Sequence, residues 1–325
     1  MTGLERRYRH LLRAYPADYR RERGEEIVGT YLDLADPGRR WPSVADAADL
    51  VRGGLRQRLR AAGAGDVVPG VRLAALLALA TAAFLAAFWA LAEVQPPPAA
   101  WGLPSFGPFV SIGIVAWSAW LVAVLLVLVA PGRPARLGIT VAVLATTALP
   151  VVSLVLDVPR PPLYVLVPQI ALGVLALALD SQPSLPTRAL PITAALGGAA
   201  TAAVLIGQSY WGWYGWTAEQ LLPATGGVLL AVAVLLAVGL TMRQDRRGQW
   251  AVVALLTPIG LLSVHILAGM VAGLGGAPRP TYPTMIAAAL AVGLLGPALL
   301  PITVALRRRR TPAPAASCPT CGPHR

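Results

Sequence analysis

Residues 71–94 read VRLAALLALATAAFLAAFWALAEV, an apolar run whose charged residues, Arg72 and Glu93, lie at its two ends. A helix needs about 20 apolar residues to cross a hydrocarbon core about 30 Å thick. In lipid, only helices and closed barrels satisfy their own backbone hydrogen bonds. The run therefore predicts a transmembrane helix.

Further apolar runs follow along the chain. They lie approximately at 107–130, 137–156, 162–180, 189–207, 222–242, 250–274 and 284–306. The run at 162–180 is short and contains Pro168 and Gln169. Together the runs predict an all-α, polytopic membrane helix bundle with about eight transmembrane helices over residues 71–310.

The composition agrees, since 56% of the 325 residues are hydrophobic and only 13% are charged. Soluble domains carry about 25% charged residues. All 27 basic residues are arginine, so the chain cannot supply the lysine of a P-loop or of a Schiff base. The net charge of +12 lies largely beside the apolar runs, where orientation and anionic lipid explain it, and we exclude nucleic acid as a partner.

The distribution of arginine between the loops predicts the orientation. With the N-terminus inside, the outer loops contain only Arg160 and Arg279. The inner loops contain Arg133, Arg136, Arg188, Arg243, Arg246, Arg247 and Arg307 to Arg310. This positive-inside pattern predicts a multi-pass protein of the bacterial inner membrane with both termini in the cytoplasm. We expect no signal peptide, because the first apolar run begins only at Val71.

The outer loops are rich in aromatic residues. These are Trp101, Tyr210, Trp211, Trp213, Tyr214 and Trp216. One interpretation is an interfacial belt that anchors the spans at headgroup depth. The other is a lid whose rings turn inward, over an opening between two halves of the bundle.

An internal repeat is predicted by matches at a constant offset of 110 residues. The sequence VAVLL occurs at 122–126 and again at 232–236, and Gly138 matches Gly248. Trp101-Gly102 matches Trp211-Gly212, while Pro159-Arg160-Pro161 resembles Pro278-Arg279-Pro280 at a longer offset. These matches predict two halves of four helices each, in the same orientation.

Residues 1–70 predict a small cytoplasmic segment of three amphipathic helices. One face of the first helix carries Leu4, Tyr8, Leu11, Leu12 and Tyr15. The second begins near Pro16 and ends near Asp36. The third has Ser43 as its N-cap and Asp46 three residues later, a variant of the capping box.

The third helix has two parallel stripes. Its apolar stripe consists of Val44, Ala48, Val51, Leu55 and Leu59, and its basic stripe of Arg52, Arg56 and Arg60. A helix of this kind lies on an anionic membrane surface. We expect anionic lipid of the inner leaflet to be a partner of these arginines.

The run LLRAYPADYRRERGEEIVGTYLDLA, residues 11–35, resembles the cytoplasmic prefix ahead of the first span in certain bacterial permease-like proteins. The matching residues are Leu11, Leu12, Arg13, Tyr15, Pro16, Tyr19, Arg20, Arg23, Gly24, Glu25 and Glu26. The resemblance covers only the segment ahead of the spans. Some such proteins occur beside regulators of the PadR type, which implies a regulator as partner. Permease activity is not implied, because no large domain separates the spans here.

His265 and Gln169 lie within predicted spans and are candidates for a pathway through the membrane. Alternatively, a neutral histidine is satisfied by a neighbouring carbonyl or by Ser263. Glu93, Asp157 and Asp180 lie near span ends, where we expect water. Pro150, Pro168, Pro258, Pro297 and Pro301 interrupt spans, and we expect kinks there rather than ligand sites.

The C-terminal residues 311–325 predict a flexible cytoplasmic tail. Cys318, Cys321 and His324 offer at most three of the four ligands of structural zinc. We therefore expect reduced thiols without metal, and no cofactor elsewhere. Without a recognisable catalytic motif, the sequence indicates a non-enzymatic membrane protein whose prefix docks a partner, or alternatively a small transporter or permease component.

Overall fold

The computed structural model describes residues 3–36, 38–61, 65–94, 105–180, 184–206, 214–275 and 279–310. The described chain is helical, and no β-strand occurs in it. It divides into two compact units, residues 1–67 with 301–325 and residues 68–300. The helices are α1 Gly3–Leu11, α2 Ala17–Asp33, α3 Val44–Ala61, α4 Val67–Glu93, α5 Gly113–Val129, α6 Arg133–Leu156, α7 Leu163–Ala176, α8 Leu185–Ile206, α9 Trp216–Met242, α10 Arg247–Leu262, α11 Val264–Leu274 and α12 Tyr282–Arg310.

Each predicted apolar run contains helix, but not every helix is long enough to span a bilayer. Five helices in the described part of the chain are long and apolar enough to span a bilayer, namely α4, α6, α8, α9 and α12. The pair α10 and α11 would make a sixth span, although it bends by 64° at Ser263. Helices α5 and α7 have only 17 and 14 residues. The structure thus gives five or six candidate spans where the sequence predicts eight.

Helix α4 lies at the centre of the second unit. In its most apolar stretch 72% of the residues are buried, against none in α12. Helix α8 approaches it so closely that a Cβ on Gly198 would overlap the carbonyl of Phe84. On another side, the Gln169 amide of α7 donates a hydrogen bond to the Ala82 carbonyl at 3.1 Å. A helix this apolar on all faces is expected inside a helix bundle.

The connections collect at two ends of this bundle. At the first, which we call the Glu93 end, the N–H of Val110 donates to the Glu93 carbonyl and that of Ile112 to the Pro159 carbonyl, each at 3.0 Å. The second end, the Arg72 end, is held by an ion pair of 3.0 Å between Arg72 and Asp180. There Arg136 also donates to the Leu179 carbonyl at 3.2 Å.

The N-terminal helices have a core of their own, as the amphipathic pattern predicted. Its buried members are Leu4, Tyr8, Leu12, Tyr15, Val28 and Leu50. The first helix ends at Leu11 and continues as one turn of 3₁₀ helix, Leu12–Ala14. Pro16 then precedes α2, where its fixed φ suits a helix start.

Candidate functional site

Helix α3 turns its predicted apolar stripe outward. Val44, Val51 and Leu55 are 89%, 46% and 57% exposed, and Ala48 is exposed as well. Arg52, Arg56 and Arg60 are exposed beside them. We call this surface, formed by the two stripes, the α3 face. Apolar residues exposed next to one another, with a basic border, mark an interaction surface.

The opposite side of α3 explains why this face is free. Leu50 and Gly54 are buried there. A Cβ on Gly54 would come within 2.7 Å of the Ala14 backbone, so glycine permits the close packing of α3 against the 3₁₀ turn. Gly53 is equally crowded, against the ring of Tyr15. Gly53 and Gly54 have low helix propensity, but they allow α3 to pack closely against Ala14 and Tyr15.

The capping box predicted for α3 is present. The N–H of Asp46 donates to the Ser43 hydroxyl at 3.0 Å, and the N–H of Ser43 donates to the Asp46 carboxylate at 3.2 Å. The Tyr8 hydroxyl donates to the same carboxylate at 3.0 Å. Hydrogen bonding from Ser43, and then from Tyr8, holds the pKa of Asp46 below its ordinary value.

A cluster of polar groups lies at the Glu93 end. The Glu93 side chain is fully buried. Its Oε2 accepts a hydrogen bond from the N–H of Ser111 at 2.6 Å, and its Oε1 accepts from the hydroxyls of Ser111 and Tyr214. We call Glu93 and these donors, together with Trp117, the Glu93 cage.

Two N–H groups set the direction of the hydrogen bonds in the cage. The N–H of Gly113 donates to the Ser111 hydroxyl at 3.0 Å, and the indole N–H of Trp117 donates to the Tyr214 hydroxyl at 3.1 Å. An N–H cannot accept, so each hydroxyl is left to point its own proton at Glu93. Among the described residues, the groups that bond to the carboxyl group are therefore all donors, and they lie next to the N-terminus of α5, an arrangement that suits a carboxylate.

The cage corrects two expectations. Glu93 is not in contact with water, because the chain after α4 returns over it. Tyr214 does not belong to an outward belt, because its ring lies 4.8 Å from that of Trp89 and its hydroxyl meets Glu93. Of the other predicted aromatics, Trp101, Tyr210, Trp211 and Trp213 lie outside the described residues, as does the Trp216 side chain.

The predicted pathway residues both have partners in the bundle. Nε2 of His265 lies 3.4 Å from the Glu219 carboxylate of α9. The ring of His265 is 6.1 Å from that of Tyr164. Gln169 is buried and joins α7 to α4, while its Oε1 has no partner among the described residues. The structure does not bring His265 and Gln169 together into one site.

The prolines and the tail complete the predicted sites. Pro150, Pro168 and Pro258 lie inside helices, yet the sharp bend falls at Ser263. Cys318, Cys321 and His324 lie outside the described residues.

No protein-family model, curated protein or solved structure matches this chain. Its class therefore follows from the fold alone. Apolar helices long enough to cross a bilayer indicate a helical membrane protein. The separate N-terminal helical core with its exposed α3 face is the feature that a function has to explain.

Proposed function

We propose that the protein is a non-enzymatic protein of the bacterial inner membrane whose N-terminal helices dock a cytoplasmic regulator or partner at the membrane surface. The observation that carries this proposal is the α3 face. A small helical unit that already buries Leu50 and Tyr8 leaves Val51 and Leu55 exposed. Covering these apolar side chains with a second surface removes them from water, which is favourable in free energy.

The arginines support anionic lipid as that second surface. Arg52 and Arg56 stand beside the exposed valine and leucine, and each basic residue near an anionic leaflet contributes about 1 kcal/mol to binding. Only residues 62–66 separate α3 from α4, so the leaflet that α4 enters is within reach. The α3 face then rests on lipid, and the other faces of the unit remain available to a partner.

The resemblance of residues 11–35 to a permease prefix supports a regulator as that partner. Co-purification from native membranes, with identification of the bound proteins, tests this. The arginines of α2, Arg20, Arg21 and Arg23, are exposed and do not belong to the α3 face, and their replacement by glutamine should release a partner bound at α2. A preparation that retains no partner before substitution contradicts the docking function.

Eight spans are supported by the contacts at the two ends of the bundle, and the placement of both termini inside is supported by the arginine distribution. Helix α5 begins beside the Glu93 cage, and α6, which follows it, starts near Arg136 at the Arg72 end. Helix α7 begins at Leu163, next to Tyr164, which donates to the Tyr214 carbonyl, and it ends at Ala176, four residues before Asp180. Both short helices thus run from one end to the other, as spans do.

A repeat of four plus four helices is supported by two similar glycine packings, in which the glycines match at the offset of 110 and the alanines that they contact do not, since Ala237 corresponds to Val127. Gly138 of α6 seats that helix against Ala123 of α5, where a Cβ would come within 3.2 Å of the alanine Cα. Its match, Gly248 of α10, is in the same way seated against Ala237 of α9. Equivalent glycines therefore join equivalent helix pairs.

A small transporter or permease component is the second candidate. The bend between α10 and α11 favours it, because broken helices form the substrate sites of many transporters. His265 follows the bend and pairs with Glu219. Identification of an ATPase subunit in the same co-purification would support this candidate, and a transcriptional regulator would support docking.

A further inference from the structure

A slot lined by apolar residues opens on the surface of the second unit between α7, α12 and the bend of α10 and α11. Its volume is about 290 Å³, close to the lower end of the range of about 300–1,000 Å³ for small-molecule pockets. Helix α7 contributes Leu163 and Pro168, the bend contributes Leu261 and Val264, and α12 contributes Ile286 and Ala289.

The bend creates the slot. After Leu262 the chain turns by 64°, so α11 leaves the direction of α10 and does not fill the space beside α12. Gly260 holds α12 close to α10, since a Cβ there would come within 2.7 Å of Val292. The slot is thus enclosed on its inner sides and open toward the surroundings of α12.

The surroundings of α12 are hydrocarbon. None of its most apolar stretch is buried by protein, and Ile286 and Leu290 at the slot are 54% and 60% exposed. Contact between water and this apolar lining is unfavourable, which favours an apolar occupant of the slot. A lipid chain is the apolar molecule that a membrane supplies at this depth.

The length of the slot matches one hydrocarbon chain of a lipid in one leaflet. The lining on α12 extends from Tyr282 to Leu290, about 12 Å at a rise of 1.5 Å per residue. Half of a hydrocarbon core is about 15 Å. Tyr164 and Tyr282 lie at the start of their helices and form the polar end of the slot, at the depth where tyrosine meets headgroups.

We propose that this slot is a specific site for one hydrocarbon chain of a lipid from the leaflet at the Glu93 end. The chain lies along Ile286 and Ala289, with its headgroup beside Tyr282. This site is independent of the docking function.

Photo-crosslinking with a phospholipid that carries a diazirine in one acyl chain tests the site in the reconstituted full-length protein. Peptide mapping should find adducts several-fold enriched in residues 163–168, 261–264 and 282–290 over the Leu154 region of α6, although that region is more exposed. Ala289→Trp fills the slot and should remove this enrichment. Ala287→Trp is the matched control, because Ala287 is exposed on the same helix and does not line the slot.

Uniform labelling of all exposed helices would overturn the proposal, as would equal labelling of the two tryptophan variants. Ala289→Phe fills less of the slot and provides the same comparison if Ala289→Trp fails to fold.

Discussion

The carboxylate of Glu93 accepts a hydrogen bond from the hydroxyl of Tyr214, which lies 121 residues further along the chain. Through this bond the end of α4 is joined to the residue just before α9. The Trp117 indole, at 3.1 Å from the same hydroxyl, joins α5 to them. Three helices are thus fixed to one another at the Glu93 end by one buried carboxyl group.

A double-mutant cycle on Glu93 and Tyr214 should detect this coupling. Tyr214→Phe leaves the Trp117 N–H without its acceptor. Glu93→Gln places the NH₂ group of an amide opposite the hydrogen-bond donors of the cage. Each change should lower the free energy of unfolding by about 1–3 kcal/mol. Because both changes break the same hydrogen bond, the double variant should lose less stability than the two single variants lose together. The measurement is reversible unfolding in detergent. Additive losses, within about 0.5 kcal/mol, would show that the two groups do not interact.

Adjacent glycines of α8 should differ in their tolerance of alanine. Gly198→Ala places a methyl group against the Phe84 backbone, and overpacking of this kind costs about 1–3 kcal/mol. Gly197→Ala is the matched control, since its Cβ would lie 4.0 Å from the Phe84 ring in ordinary contact. Helix propensity alone would make both changes favourable by about 1 kcal/mol. Equal unfolding temperatures for the two variants would refute the close crossing of α8 and α4.

The capping box of α3 should depend on pH. Because the pKa of Asp46 in the folded state is lowered, its stabilisation is complete above the unfolded pKa of about 3.9. This stabilisation is lost as the pH falls through the pKa of Asp46 in the folded state. Above pH 4, hydrogen exchange of residues 44–50 in the full-length protein should therefore be slower in the wild type than in Asp46→Asn, which lacks the carboxylate of the cap. Below the folded pKa the two proteins should converge, and a constant difference down to the lowest pH would count against the assignment.

The topology should follow the arginine distribution. Reporter fusions after Arg310 and within residues 208–221 should report opposite sides of the membrane, because an odd number of spans lies between them. The same side for both fusions would exclude the arrangement of eight spans. A truncation after Arg188 supplies the control, since it should report the side of Arg310.

The sequence predicted those features that depend on neighbouring residues. The central helix α4 followed from one apolar run, and the Ser43–Asp46 capping box from a spacing of three residues. The core of the N-terminal unit followed from the spacing of Leu4, Tyr8 and Leu12.

Features that depend on distant contacts escaped prediction. Glu93 stands at the end of an apolar run like any interfacial acid, and its burial results from Ser111, 18 residues later, and from Tyr214. The bend at Ser263 falls five residues after the proline that was expected to kink the helix.

The central claim is that the α3 face rests on anionic lipid, and its most direct test is the depth of Leu55 in the membrane. A spin label at Leu55→Cys, with Cys318 and Cys321 replaced by serine, reports contact with lipid-soluble or water-soluble relaxation agents in nanodiscs. In anionic discs we predict that the label is in lipid, and that Arg52→Gln, Arg56→Gln and Arg60→Gln together release it, at about 1 kcal/mol per arginine. The control removes the same charge from α2 through Arg20→Gln, Arg21→Gln and Arg23→Gln and should leave the label in place. A label that stays in water in anionic discs, or that both triple variants release equally, would contradict the account.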